Sequence, residues 1–129
     1  MSEVEKQQEI EDKNYHYRLK LEQLQDDQLE IRKERARIEF LQEEFFDLQQ
    51  KEQALYNAVI ANSEPDERAF YEVRGDESLH LAKKAQREFD EELILLQKEE
   101  RFLFEKEEKV RTEQQTFLKM NGKEKTDGT

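Results

Sequence analysis

The chain contains no cysteine and no tryptophan, and only one proline and three glycines among 129 residues. Without cysteine there is no disulfide framework, no thiolate nucleophile and no thiolate metal site. The scarcity of glycine and proline removes the tight turns of sandwiches and the Gly-rich loops that cradle phosphates. Apolar runs such as Leu93-Ile94-Leu95-Leu96 reach only four residues, far short of the ~20 that a membrane-spanning helix needs. The charged start Met1-Ser2-Glu3-Val4-Glu5-Lys6 is followed by no hydrophobic stretch, so a cleaved secretory signal is not expected. Positive charge is also in deficit: 22 Lys and Arg stand against 33 Asp and Glu, for a net charge of −11. Such a surplus repels nucleic acid and anionic lipid, and neither is an expected partner.

What is present is charge and periodicity. Charged residues make up 43% of the chain and apolar ones 34%, including eight Phe and four Tyr. Such a solvated chain would be disordered were its apolar residues scattered, but they recur at regular spacings. From Val4 to Ala61 there is neither Gly nor Pro, and strong helix formers dominate. Tyr17, Leu24, Ile31, Ile38 and Phe45 succeed one another at seven-residue intervals. Leu41, Leu48 and Leu55 form a companion row three residues further on. Together they read as the stripe one helix buries against another. Earlier in the helix the companion positions are charged (Asp27, Glu34) and Leu21 lies on the other flank, so the seam is expected to rotate near Ile38. In the second half Ala82, Phe89, Leu96, Leu103, Val110 and Phe117 make a strict heptad row, joined by Leu93.

The intervening stretch holds the only proline, Pro65, and the only internal glycine before the C-terminal region, Gly75. Its net charge of −4 over residues 62–78 makes it the most acidic part per residue. Asn62 or Ser63 is expected to cap the next helical segment, and Asp76 to cap the second long helix. Between them lies either a short helix over about residues 66–73 or an irregular loop. Asn121-Gly122 reads as a helix stop. The expectation is therefore all-α: a single domain over 1–129 forming an antiparallel two-helix hairpin with coiled-coil packing. Its first helix covers about 4–61, the connector 62–76, the second helix about 77–120, and a tail 121–129. Residue i of the first helix should face roughly residue 137 − i of the second, placing Tyr17 near Met120, Phe45 near Glu92 and Leu93, and Val59 near Ser78.

Catalytic constellations are not evident. Glu77-x-x-His80 matches one unit of a carboxylate-bridged di-iron bundle, but the other histidine, His16, sits in Asp12-x-x-x-His16 with different spacing. No metal, no cofactor and no catalytic residue is expected. Ser63, Ser78, Thr112 and Thr116 read as caps or helix surface rather than nucleophiles, and the many carboxylates as solvated charges. Arg32, Lys33, Arg35 and Arg37 are interleaved with acids, as on a solvated helix face. The informative surplus is apolar: Phe40, Phe46 and Ile60 on the first helix, and Leu81, Leu95, Phe102 and Phe104 on the second, stand off the stripes. They are the candidate partner-binding residues, for further helices in a homo- or hetero-oligomer.

Segments such as Phe45-Phe46-Asp47-Leu48-Gln49-Gln50-Lys51-Glu52 and Gln97-Lys98-Glu99-Glu100-Arg101-Phe102-Leu103-Phe104 carry Phe in Glu/Gln-rich surroundings. In this the chain resembles the small targeting proteins encoded beside LXG toxins of the type VIIb secretion system. The resemblance implies a cytoplasmic chaperone-like adaptor, co-exported with its partner or left behind. It would bind the long helical LXG domain of a toxin beside a second small helical protein. Related WXG-type hairpins carry Trp-x-Gly in the turn; here Val73-Arg74-Gly75 lacks the Trp. Their Tyr-x-x-x-Asp/Glu signal has a counterpart only in Phe104-x-x-x-Glu108, inside the second helix. Coiled-coil escort or stalk proteins of flagellar and type III export, and plain coiled-coil oligomerisation modules, share the hairpin and stay open as alternatives.

Overall fold

The computed structural model describes residues 2–127, with side chains as far as Asn121. Two helices, α1 (Glu3–Ala61) and α2 (Pro65–Asp127), pack antiparallel as an all-α helical hairpin. The Ser2 hydroxyl accepts from the Glu5 N–H at 3.3 Å and so caps α1, whose first turn holds Glu3 and Glu5 at the positive end of the helix dipole.

The turn is far shorter than the 62–76 connector read from the sequence: only residues 62–64 separate the helices. Asn62 and Ser63 do not cap α2. Their side chains close α1 instead, Asn62 Nδ2 donating to the Ala58 carbonyl at 2.8 Å and Ser63 Oγ to that of Val59. Glu64 contributes the carbonyl that accepts the first α2 bond, from Arg68 N–H at 2.8 Å. Pro65 then occupies the first helical position, where its missing N–H costs nothing, with Asp66 and Glu67 next to it in the favourable first turn. Gly75 and Asp76 lie well inside α2 and neither breaks nor caps it. At the other end the expected stop at Asn121-Gly122 is helical, and α2 runs to Asp127. Of the expected tail, Gly128 and Thr129 lie outside the described residues.

The hairpin packs as two units, one of Met1–Arg32 with Gln97–Thr129 and one of Lys33–Leu96. The first is termed the terminal unit and the second the turn unit. In the terminal unit Tyr17 meets Phe117 with ring centroids 5.8 Å apart, and Leu21 and Ile31 are buried. In the turn unit Phe45 meets Phe89 at the same separation, and Ile38, Ala82 and Leu96 are buried. Both ring pairs fall earlier along α2 than the expected register, and Ser78 donates to Glu52 rather than lying near Val59. The physical reason is the short turn, which begins α2 at Pro65 and draws each α2 residue back along α1.

The a-row Tyr17, Leu24, Ile31, Ile38 and Phe45 faces α2, as does Ala82, Phe89, Leu96, Leu103, Val110 and Phe117 on the other side, with Leu93 beside it. The companion row of α1 is a correction. Leu41, Leu48 and Leu55 are 41, 63 and 67% exposed. The second inward row is Leu21, Gln28, Arg35, Gln42 and Gln49, four residues beyond each a-position rather than three. Four residues advance a helix by about 40° past a full turn and three fall about 60° short, so the first lies nearer the seam. The expected rotation at Ile38 is absent. A phase change does occur after Phe45, where the inward positions step through Gln49, Gln53 and Tyr56, an inserted four-residue step that locally unwinds the supercoil.

Gly75 explains its own presence there. It is buried against Tyr56, and its carbonyl accepts from Gln53 Nε2 at 3.4 Å. A Cβ built on Gly75 would stand 3.6 Å from Tyr56 Cγ, an ordinary contact. Gly75→Ala should therefore gain helix propensity without strain and raise stability by about 0.5–1 kcal/mol, read from urea midpoints. A loss of stability on that substitution would show the contact to be tighter than this.

Candidate functional site

Among the described residues five apolar side chains are buried and none is fully enclosed. A pair of helices offers one stripe each and cannot surround a core. The consequence is a large solvent-facing apolar inventory. Six of the expected partner-binding residues, Phe40, Phe46, Leu81, Leu95, Phe102 and Phe104, are between 53 and 64% exposed. Ile60 is only half-exposed and turns toward the α1–α2 seam near the turn. Phe102 and Phe104 belong to the terminal unit and the others to the turn unit. Lys106 covers the Phe102 ring at 5.0 Å, its ammonium over the π face.

Two grooves run along the turn unit. One, of about 510 Å³, is lined by Phe45, Gln49, Tyr56, Leu81, Ala82 and Ala85, with Glu52, Arg74, Glu77 and Ser78 at its edges. The second, of about 390 Å³, is lined by Ile38, Leu41, Phe45, Ala85 and Phe89, with Glu34, Arg37, Glu88 and Glu92 around them. Phe45 and Ala85 line both, so they form one continuous trough. Its floor is low because Ala82 stands where α2 one and two heptads on carries Phe89 and Leu96, and Ala85 beside it is equally small. Such volumes match small-ligand sites, yet the trough is open along its length and cannot surround a small molecule.

Its edges are mixed: Glu34, Arg37, Leu41 and Glu52 on α1, and Arg74, Glu77, Leu81, Glu88 and Glu92 on α2. The charges divide unevenly. Arg37 pairs with Glu34, and Arg74 with Glu77 at 3.1 Å; the Arg37 guanidinium holds the Glu34 carboxyl below its ordinary range. Glu92 also lies within the field of Arg37, whereas no ion pair to Glu52 or Glu88 is seen among the described residues. On the trough floor the Gln49 amide nitrogen is buried and finds no acceptor.

No protein-family model, curated protein or solved structure matches this chain. The site must therefore be read from its own chemistry. No described helix is long and apolar enough to cross a membrane. No three His, Asp or Glu side chains among the described residues are grouped so as to hold a metal ion.

The terminal unit contains a feature the apolar rows do not reveal. Glu107, 8% exposed, lies in the seam and accepts from Gln28 Nε2 at 2.7 Å, Gln25 Nε2 at 3.2 Å and Arg111 at 2.6 Å. The hydrogen bond from Gln28, helped by those from Arg111 and Gln25, lowers its carboxyl to about 2. The signal for it is positional: Gln28 falls between Leu24 and Ile31, and Glu107 between Leu103 and Val110, on the inward side of each helix.

Proposed function

We propose that the chain is a non-enzymatic helical adaptor, a targeting chaperone that binds the helical N-terminal domain of a cognate LXG toxin for type VII secretion. It would act in the cytoplasm, where the toxin is made, beside a second small helical protein. The observation that carries the binding role is the array of large apolar side chains held outward on both helices, more than a self-sufficient hairpin leaves in water. The choice of an LXG domain rests on the resemblance of the Phe-bearing, Glu/Gln-rich segments. Helix-on-helix docking is the chemistry such a surface supports, with aromatic anchors supplying affinity and the acidic faces setting register.

The test is co-expression with the LXG domain encoded by a neighbouring gene, then affinity capture and native mass measurement. Capture of a stoichiometric complex is expected. Phe40→Glu, Phe46→Glu and Phe102→Glu should each weaken it by about 2 kcal/mol or more, roughly 30-fold in Kd, with helicity by circular dichroism unchanged. A wild-type chain that leaves the LXG domain uncaptured refutes the reading.

A further inference from the structure

The trough of the turn unit identifies its occupant more narrowly. We infer that it takes a single amphipathic helix from another protein, with an apolar heptad stripe flanked by lysine or arginine, completing a local three-helix bundle. The inference rests on the adaptor reading and names the chemistry of the helix it would receive.

Three observations converge. The apolar lining follows both helices, with Ile38, Leu41, Phe45 and Tyr56 on α1 and Leu81, Ala82, Ala85 and Phe89 on α2. An elongated groove between two helices, apolar over several turns, fits a third helix lying along it rather than a strand or a flat surface. The alanine floor leaves depth for the incoming apolar side chains, since Ala82 and Ala85 fill little of the space beside Phe45. The charge is one-sided: five glutamates and two arginines line the trough, and both arginines are engaged by Glu34 and Glu77, leaving Glu52 and Glu88 to meet cations from outside. A second copy of this chain would bring a net −11 of its own, so self-association opposes the field that a basic helix would satisfy. The orphan Gln49 amide adds a donor on the floor for one polar side chain of the guest helix.

The experiment uses the full chain and two synthetic 24-residue peptides with the same leucine heptads, one flanked by lysine and one by glutamate. A third peptide keeps the lysines but scrambles the leucine positions. Fluorescence anisotropy should show the lysine-flanked peptide binding at least about tenfold more tightly than either control. Leu41→Glu and Leu81→Glu should each weaken it by about 30-fold or more, whereas Phe102→Glu, in the other unit, should leave it unchanged. Simple attraction of opposite charge predicts the reverse for the trough variants, since each adds an acid. Equal binding of the glutamate-flanked or scrambled peptide overturns the inference. So does undiminished binding to helical Leu41→Glu protein, or a concentration-dependent homodimer that Leu41→Glu dissociates. Failure of the LXG capture would leave these peptide results standing, and the converse holds, so the two readings are refuted separately.

Discussion

Ile38→Asp is expected to unfold most of the hairpin at room temperature, while Leu48→Asp, on the same helix, leaves its urea midpoint almost unmoved. Ile38 is 5% exposed and Leu48 63%. The first substitution removes a buried branched side chain, worth about 2 kcal/mol or more. It also forces a carboxylate toward Leu96 and Phe89 or out of the seam altogether, and the total is about 4 kcal/mol. Native domains hold only about 5–15 kcal/mol in reserve, and a core this thin sits at the low end. The second substitution exchanges a solvent-facing leucine for a charge and should stay within about 0.5 kcal/mol. Chemical denaturation monitored by circular dichroism measures both. Comparable losses at the two positions would return the outer leucine row to the seam.

That pair of residues also marks how far the sequence can be read. Helix content comes from the run without glycine or proline between Val4 and Ala61, and from the six-membered row ending at Phe117. An a-row identifies which line of a helix points inward, but not which neighbouring line joins it. Apolarity favours Leu41, Leu48 and Leu55. The structure instead uses glutamines, whose aliphatic stems can cover the neighbouring helix while the amides of Gln28 and Gln42, though not that of Gln49, find acceptors across the seam. Gln42 donates to Asp90 at 3.1 Å and Gln114 to Asn14 at 3.0 Å. Gly75 misleads for a related reason. Glycine marks a break only when the backbone needs its freedom, and here no described residue has positive φ; the position needs smallness against Tyr56. A connector read as too long shifts the register, and with it every cross-helix pairing expected from the heptads. The candidate surface is legible in Phe40, Phe46, Leu81, Leu95, Phe102 and Phe104, which the heptad rows have no place for. The trough is not, since its α1 side continues past Phe45 through Gln49, Glu52 and Tyr56, positions that the heptad rows do not pick out.

Glu107→Leu should destabilise the terminal unit by about 2–3 kcal/mol, and adding Gln28→Leu should recover most or all of the loss. The single substitution removes the acceptor for Gln28, which is itself only 4% exposed, and leaves a buried amide and the Arg111 guanidinium without their partner. The double substitution replaces the polar pair by apolar groups in a seam already lined by Leu24, Leu103 and Val110, a change that is often neutral or stabilising. What it should forfeit is uniqueness of register, because Gln28 can meet Glu107 in one alignment whereas leucine rows tolerate slippage by a heptad. A disulfide-trapping assay between cysteines introduced at Asn14 and Gln114 would detect this as a drop in cross-linking efficiency despite a higher midpoint. The charge on Glu107 adds a pH signature whose sign is determinate. Its carboxyl is lowered from 4.5 to about 2, so the stabilisation is complete above about pH 4.5 and is lost as the pH falls toward 2. A shift of about 2.5 units at 1.36 kcal/mol each sets an upper bound of about 3 kcal/mol; the half-exposed Arg111 partner reduces this to about 2. Glu107→Gln should therefore flatten the acid limb of the stability curve between about pH 4.5 and 2 relative to the parent chain. Parallel curves for the two proteins would mean that the carboxylate is solvated and that the register is held by the ring pairs alone.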